Sequence, residues 1–455
     1  MSTQVQDTQP QAIETIENTT KTKKRFRLSP GEVVLLIIGI AMRIWYALLV
    51  PFIVRCYDVH SHVEHIKYQL EHWAIPDPSV GWENFQPPLY YTIAAIVGWF
   101  FKGYVNGEDG QLIVWKRLAC LFSIILLFCT IYVGRKLFNE RQEAQRLWFL
   151  AIITFFPSIV YAATRISNDP VYYIFAFLWA GTLIEFWRKP VAKTFLWLCI
   201  ECGFGLLSKA SMLAMTGLTF LFLFFCRRVT LKQKALWTTV GMAIVLAMAG
   251  WFHIPRAMQT LPSKNPNTFI IGNIVWEAEG LFYKSEWQNF CVFNPVRVVQ
   301  YPRCNGWKVD PRRVFFWEYY FKSGYTGEFL NEKEDNEYTF ARTLLTLNLL
   351  LFPYMIFSFI RTIRMPSRVA YPYVWVWPAC MAAQIGYVYR VGLANVQDFR
   401  FFSFLLLIYA YFIVDGIYAT KGWLRTIGKV ILGSLLMISV AFVYYLVYFT
   451  NWIGT

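Results

Sequence analysis

Charged residues are scarce in this chain: they make up 16% of its 455 residues, whereas soluble domains contain roughly 25%. Hydrophobic residues make up 56%, so the composition excludes an ordinary soluble protein and predicts a polytopic membrane protein. Acidic residues are outnumbered, with 28 Asp and Glu against 43 Lys and Arg. Because Lys and Arg collect in cytoplasmic loops and beside anionic lipid, the formal charge of +15 needs no nucleic acid to explain it, and none is predicted as a partner.

Several catalytic motifs are absent as well. The chain has no Gly-rich phosphate-binding loop and no Gly-x-Ser-x-Gly elbow, so an ATP-driven pump and a serine hydrolase are unsupported. It also has no His-Glu-x-x-His zinc motif. Chemistry of these kinds is therefore not what the sequence predicts.

The first 30 residues are polar and end in a basic run formed by Lys21, Lys23, Lys24, Arg25 and Arg27. A cleavable signal peptide is not predicted, because the polar lead is long and no small-residue cleavage site follows the first apolar segment. We expect a disordered tail whose basic end holds the N-terminus in the cytoplasm.

Eleven hydrophobic stretches are long enough to be candidate membrane spans. They lie near 33–54, 113–134, 147–164, 171–187, 194–208, 210–226, 235–252, 340–360, 371–389, 401–418 and 428–449. A further apolar segment, 88–101, is shorter than the roughly 20 residues that an ordinary spanning helix needs. We predict that this segment is an interfacial or re-entrant helix.

The distribution of basic residues supports this prediction. If 88–101 does not cross the membrane, the five basic loops all face the cytoplasm, at 135–146, 188–193, 227–234, 361–368 and 421–429. If it crosses, all five lie outside, against the positive-inside rule. The sequence therefore predicts an all-α fold with about eleven transmembrane helices, the N-terminus inside, the C-terminus outside, and juxtamembrane helices in the first external loop.

Four regions are predicted. They are a disordered cytoplasmic tail at 1–30, a transmembrane catalytic module at 31–252 with an external loop at 55–112, an external loop or small domain at 253–338, and C-terminal transmembrane helices at 339–455. Among nine cysteines, Cys291 and Cys304 are the only pair in a long external loop. We predict a disulfide between them, with two unpaired thiols as the alternative.

Four of the five histidines are clustered just after the first predicted span, at His60, His62, His65 and His72. Asp58 directly precedes them, where a carboxylate beside imidazoles suits a general base. The alternatives for Asp58 are a solvated anion or the N-cap of the helix that follows.

If residues 60–72 form a helix, His62, His65 and Gln69 share one face, because they are three and four residues apart. No cofactor is firmly predicted. A divalent metal ion held by His62 and His65 is one interpretation, and contacts to phosphate, contacts to sugar or simple interfacial polarity are the others.

Further charged residues lie at membrane depth or at the predicted outer ends of spans. Arg43 lies inside the first span, which favours a functional role, with snorkelling to headgroups as the alternative. Lys209 marks a tight turn between two short helices and suits an anionic headgroup. Asp169 is a second acidic candidate, or else a cap for the next helix. Arg400 is a candidate phosphate clamp, or else the partner of Asp398.

Together, Asp58, a following amphipathic stretch and the segment Gln86-Pro87-Pro88-Leu89-Tyr90-Tyr91 resemble the glycosyltransferase C superfamily. The closest branch is family 39-like, with protein O-mannosyltransferases and lipid A aminoarabinose transferases. The resemblance covers roughly residues 33–260. In it, Asp58 matches the first-loop acidic base and Asp169 the second acidic position. Gln86 stands where relatives place His, Glu or Lys.

The resemblance implies transfer of a sugar from a polyprenyl-phosphate donor to an acceptor glycan, lipid or protein at the non-cytoplasmic face of a plasma or endoplasmic-reticulum-type membrane. It also implies a match between Arg117 and a common arginine. Asp58 and Asp169 are therefore the catalytic candidates. The donor or phosphate-binding candidates are Lys209, Arg400, Arg117, Gln86, Tyr90, His60 and His62. The transfer would invert the anomeric carbon. A secondary transporter or lipid flippase is the alternative function.

Overall fold

A computed structural model describes residues 27–56, 58–78, 81–104, 107–260, 268–271, 274–277, 286–304, 314–326, 335–391 and 394–450. The predicted disordered tail lies almost entirely outside these described residues. The helices in the first half of the chain are α1 Pro30–Leu49, α2 Val59–His72, α3 Leu89–Phe101, α4 Gly107–Leu137, α5 Glu143–Phe155, α6 Pro157–Tyr161, α7 Asp169–Arg188, α8 Ala192–Ser208, α9 Met212–Phe225, α10 Leu231–Val245 and α11 Trp251–Thr260.

The later helices are α12 Gln288–Cys291, α13 Pro295–Gln300, α14 Phe316–Ser323, α15 Asp335–Ile363, α16 Tyr371–Val391, α17 Leu405–Ala419 and α18 Gly422–Phe449. One antiparallel hairpin interrupts this helical architecture, with β1 Thr268–Ile271 paired to β2 Ile274–Glu277. The all-helical prediction is confirmed for the membrane part, and the hairpin lies within the second predicted external loop.

By length and composition, six segments of the described chain could cross a membrane: α1, α4, α7, the segment Leu231–Met258, α15 and α18. Shorter apolar helices accompany them, among them α9 and α17. The chain is thus an integral membrane protein. The predicted span 147–164 is divided into α5 and α6 at Phe156, because the residue before a proline avoids helical backbone angles.

Helix α3 does not cross from one end of the molecule to the other. Glu32 at the start of α1 binds Arg135 at the end of α4, with Oε2 2.6 Å from the Arg135 Nη2. Lys116 near the start of α4 donates to the Val50 carbonyl at the end of α1, at 3.3 Å. Since α1 and α4 are antiparallel neighbours, the chain between them stays at one end of the bundle. The prediction that 88–101 does not span is confirmed.

The basic loops gather at the opposite end, which we call the basic end. Lys136 binds Glu185 across α4 and α7, and Arg228 after α9 donates to the Arg188 carbonyl at 3.0 Å. At the start of α16, Tyr371 stacks on Trp187 with ring centroids 5.8 Å apart. The charge pattern therefore predicted the relative sides of the loops correctly.

Arg43 has a structural role inside the bundle. It is fully buried, and its guanidinium donates to Ser123 on α4 and to the carbonyls of Gly39 and Thr154, at 3.1–3.2 Å. It thus connects α1, α4 and α5 instead of snorkelling to headgroups. Buried charges in membrane proteins are stable when they find such backbone acceptors.

Candidate functional site

The end opposite the basic end, which we call the site end, carries the predicted catalytic residue Asp58. Its backbone has a φ of 49°, a left-handed conformation that is uncommon outside glycine and is often found at functional sites. The side chain makes no capping hydrogen bond to α2, so the alternative role as N-cap is not observed. It is about one-third exposed and lies 3.9 Å from the Nη2 of Arg400.

Helix α2 turns two of its histidines inward and two outward. His62, His65 and Gln69 lie on its buried face, as the spacing predicted, whereas His60 and His72 are exposed. His62 Nδ1 is 2.7 Å from the hydroxyl of Tyr91. Burial lowers the pKa of His62 to about 3, so its imidazole is neutral at physiological pH.

His65 is held too firmly to be a free ligand. Its Nδ1 is 3.1 Å from the Glu83 carbonyl and its Nε2 is 3.0 Å from Gln69, while its ring stacks on Tyr91 at 3.7 Å. Among the described residues, no group of three or more His, Cys, Asp or Glu side chains is arranged to hold a metal. The geometry therefore does not favour the metal interpretation of His62 and His65.

Glu83 is a site residue that the sequence reasoning missed. It follows Trp82 in the loop before the Pro-Pro segment and is buried, with Oε2 4.0 Å from His62 Nδ1. Within the described chain that oxygen has no hydrogen-bond partner. Burial, reinforced by the charge of Asp58, raises the pKa of Glu83 to about 8. The only signal in the sequence was a carboxylate three residues before Gln86 and the Pro-Pro segment.

Arg256 on α11 positions this loop. Its guanidinium donates to the carbonyls of Asn84 at 3.2 Å and Phe85 at 3.0 Å, and lies over the Phe252 ring at 4.0 Å. The donor and acceptors are more than 170 residues apart in sequence, so no local pattern could have revealed this contact. The loop that carries Glu83 is thereby fixed to the transmembrane bundle.

Asp169 and Lys209 form a buried ion pair across the start of α7 and the turn between α8 and α9. Asp169 does not cap α7, whose N-cap is Asn168 without a side-chain cap. The amide of Asn168 donates to Gln86 Oε1 at 3.0 Å and to the Ser208 carbonyl at 2.9 Å. The Lys209 ammonium also lies over the ring of Phe401, at 4.7 Å. The predicted tight turn at Lys209 is present.

Arg400 lies in the short 3-10 turn Phe399–Phe402. The Asp398 carboxylate accepts from the Arg400 backbone N–H at 2.7 Å and so caps this turn. The Arg400 guanidinium approaches Asp58 from the other side. Arg400 thus reaches the first external loop from a turn near the C-terminal end of the chain.

These residues surround a polar cavity of about 440 Å³. Among the predicted site residues, those that line it are Asp58, Asp169, Lys209, Arg400, Gln86 and His62. Trp82, Glu83 and Asn168, which were not predicted, also contribute. Three predicted residues lie elsewhere: His60 is exposed on α2, Arg117 is exposed on α4, and Tyr90 is enclosed in the core beside Tyr91 and Phe122.

The charges around the polar cavity set its chemistry. Burial, and then the nearby carboxylate of Asp169, raises the pKa of Asp58, while Arg400 opposes that rise. A carboxylate with a raised pKa accepts a proton more readily than an ordinary aspartate. Lys209 and Arg400 add two basic side chains to the lining of the same cavity, so the cavity combines a candidate base with groups that can bind phosphate.

A second, apolar cavity of about 380 Å³ lies on the other side of the turn Phe399–Phe402. Its lining includes Phe156, Phe293, Trp317, Tyr320 and Leu405. The exposed Cys291 also borders it, whereas Cys304 is buried against Val314 and Tyr319. The disulfide between Cys291 and Cys304 stays a prediction.

Comparisons with known proteins place this architecture. Residues 60–283 match a family described as "Predicted membrane protein (DUF2142)", and no curated protein matches the chain. The fold is similar to the apo crystal structure of the Archaeoglobus fulgidus oligosaccharyltransferase, with a TM-score of 0.56 and 11% identity. It is also similar to the crystal structure of ArnT from Cupriavidus metallidurans bound to undecaprenyl phosphate, with a TM-score of 0.51 and 12% identity.

The two alignments cover 93% and 89% of this chain, which spans 57% and 63% of the respective neighbours. Both neighbours are glycosyltransferases of the C superfamily. At such low identity the likeness concerns the fold. The fold implied by the sequence resemblance is therefore confirmed.

Proposed function

We propose that this chain is a membrane glycosyltransferase that moves a sugar from a polyprenyl-phosphate donor to an acceptor hydroxyl or amine. The observation that carries the proposal is the polar cavity, which the partly exposed Asp58 lines together with Lys209 and Arg400, and in which Asp58 lies 3.9 Å from Arg400. The fold shared with an oligosaccharyltransferase and with ArnT bound to undecaprenyl phosphate supports it.

In this proposal the donor's phosphate lies against Lys209 and Arg400. A guanidinium can grip phosphate with two parallel hydrogen bonds, and the Lys209 ammonium adds a second positive charge. The apolar cavity beyond the turn Phe399–Phe402 offers an apolar surface for the start of the isoprenoid tail. The donor thus has a polar and an apolar compartment on either side of one short turn.

The acceptor enters from the aqueous side, where Asp58 is partly exposed. Asp58 takes the acceptor's proton while the acceptor oxygen or nitrogen forms a bond to the anomeric carbon. The bond from that carbon to the phosphate oxygen breaks, and polyprenyl phosphate leaves with the electron pair. Lys209 and Arg400 stabilise the charge that grows on the phosphate. A single displacement of this kind inverts the anomeric carbon.

The protein's orientation follows from the charged loops. The positive-inside rule puts the basic end in the cytoplasm, so the polar cavity opens on the non-cytoplasmic face. The donor would then be a lipid-linked sugar displayed on that face. The acceptor would be a glycan, lipid or protein reached from the same side.

The proposal is tested by incubating purified protein with a panel of polyprenyl-phosphate sugars and analysing the products by mass spectrometry. We expect release of polyprenyl phosphate together with a glycosylated acceptor. Arg400→Gln should lower turnover at least about tenfold, whereas Arg141→Gln, an exposed arginine at the basic end, should change it by less than about twofold. Movement of intact donor across proteoliposomes without cleavage would instead favour a transporter.

A further inference from the structure

A third cavity, of about 430 Å³, lies at the basic end and is separate from the proposed active site. It is enclosed by α4, α7 and α8, and we call it the Glu201 cavity. Its lining is Tyr132, Thr182, Glu185, Lys189, Val191, Lys193, Thr194, Trp197 and Glu201. It is about as large as the polar cavity of the site end, and the proposed transfer reaction does not use it.

Glu201 is the deepest charged group of this cavity. Its residue is 8% exposed, and its Oε1 accepts a hydrogen bond from Thr182 Oγ1 at 2.7 Å. The Thr182 hydroxyl is in turn 3.2 Å from the hydroxyl of Tyr132. Among the described residues, the second oxygen of Glu201, Oε2, has no hydrogen-bond partner. A buried carboxylate oxygen without a donor is costly, which indicates that a ligand supplies one.

The rim of the Glu201 cavity carries the opposite charge. Lys189 and Lys193 line it and are exposed, while Glu185 is neutralised by Lys136. Two exposed lysines therefore stand at the entrance, without an ion pair among the described residues, and one buried carboxyl group stands inside. A ligand that complements this arrangement places its negative charge at the entrance, beside the lysines. Its positively charged, hydrogen-bond-donating end lies inside the cavity, beside Glu201.

Helix α8 orients the cavity relative to the membrane. Lys193, Trp197 and Glu201 recur every four residues and so share one face, over about 12 Å of helix. Trp197 is 51% exposed, as expected for a tryptophan at the boundary between lipid and water. The cavity thus opens where phospholipid headgroups lie.

We propose that the Glu201 cavity binds the headgroup of an ethanolamine phospholipid. The phosphate lies between Lys189 and Lys193, and the ammonium enters the cavity and donates hydrogen bonds to Glu201 and Thr182. A purely anionic group would leave the Glu201 carboxylate unmatched, and a soluble polycation would meet the two rim lysines first. A zwitterionic headgroup with N–H donors satisfies both.

The test uses the full chain, purified and delipidated, and compares lipids with identical acyl chains by native mass spectrometry. Phosphatidylcholine is a close control ligand, because its methylated ammonium cannot donate hydrogen bonds. We expect phosphatidylethanolamine to bind about tenfold more tightly than phosphatidylcholine, as for one charge-assisted hydrogen bond. Equal affinities would overturn the proposal, as would phosphatidylglycerol binding as tightly as phosphatidylethanolamine.

Two sets of variants assign the contacts. Glu201→Gln should abolish the preference for phosphatidylethanolamine, whereas Glu143→Gln, a carboxylate at the same end outside the cavity, should preserve it. The double variant Lys189→Gln/Lys193→Gln should weaken the binding of both lipids alike, because both lipids carry the phosphate. A Glu201→Gln protein with the full preference contradicts the proposal. If that variant does not fold, the comparison of lipids on the unaltered chain decides.

Discussion

The two ends of the molecule use the same kinds of charged residue in opposite ways. At the basic end, Glu32 caps α1 through Ser29 and receives hydrogen bonds from Arg135 and Arg146, at 2.6 and 2.7 Å. At the site end, Asp58 lies 3.9 Å from Arg400, and Glu83 has an oxygen without a partner among the described residues. Glu32 is thus saturated with hydrogen bonds, whereas Asp58 and Glu83 are not.

This difference distinguishes charged residues that stabilise the fold from charged residues that are available to a substrate. The carboxylate of Glu32 is 1% exposed and holds three helix ends together. It therefore offers no free acceptor to a ligand. At the site end, a cavity, the unmatched carboxylate oxygen of Glu83 and the partly exposed Asp58, the candidate base, coincide. Buried polar groups that lack partners are uncommon and call for a specific cause. We propose that a substrate supplies the missing contacts at the site end.

The largest expected effect is that of Asp58→Asn. The amide keeps the size of the side chain but cannot accept the acceptor's proton, so turnover should fall by about 10²–10⁴-fold. The circular dichroism spectrum and the yield of monodisperse protein should stay unchanged, because the Asp58 side chain does not cap α2. Turnover of Asp58→Asn at the rate of the unaltered chain would show that Asp58 is not the catalytic base.

Glu32→Gln should act on stability alone. Removing this charge leaves Arg135 and Arg146 without their shared carboxylate at the start of α1. The free energy of unfolding should fall by about 3 kcal/mol. Thermal unfolding in detergent should therefore begin at a markedly lower temperature, while turnover per folded molecule is preserved. Glu143→Gln is the matched control, because Glu143 is another glutamate of the basic end, at the start of α5, and this variant should unfold like the unaltered chain. A large loss of turnover per folded molecule in Glu32→Gln would contradict the purely structural role of this residue.

The pH dependence of turnover should reveal Glu83. Because burial and the charge of Asp58 raise its pKa to about 8, the protonated form prevails below that pH and can donate a hydrogen bond to the sugar. Ionisation above it removes this donor and places a second negative charge near Asp58. Turnover should thus decline above about pH 8, and Glu83→Gln, which stays neutral, should lack that alkaline decline. An identical profile in both proteins would exclude this role.

The smallest effect is expected for His60→Ala. His60 is exposed on the outer side of α2, so turnover should change by less than about twofold. His62→Ala, in contrast, removes a cavity wall and the contact with Tyr91, and it should lower turnover clearly more. Equal losses in the two variants would mean that the two faces of α2 do not differ in function.

Much of the architecture could be predicted from the sequence because it depends on local or summed properties. Hydrophobic length and loop charge predicted the helices and the short segment 88–101, since the positive-inside rule acts on whole loops. Helical periodicity predicted the shared face of His62 and His65. The same rule separates His60 from His62, which are two residues apart, so His62 lines the polar cavity while His60 is exposed.

The remaining features depend on contacts between distant segments. Arg256 reaches the carbonyls of Asn84 and Phe85 only because α11 packs beside the first external loop. Glu83 gains its unusual pKa from burial in that same arrangement. Arg43 seemed functional because it lies at membrane depth, yet acceptors on two other helices make it structural. No pattern within a short window contains this information.

The central claim is that carboxylate chemistry resides at the site end. It is tested most directly by measuring polyprenyl phosphate release per folded molecule for Asp58→Asn and Glu32→Gln side by side. We predict that release falls at least about 100-fold in the first protein and stays at the unaltered level in the second. Release that survives in Asp58→Asn and disappears in Glu32→Gln would contradict it.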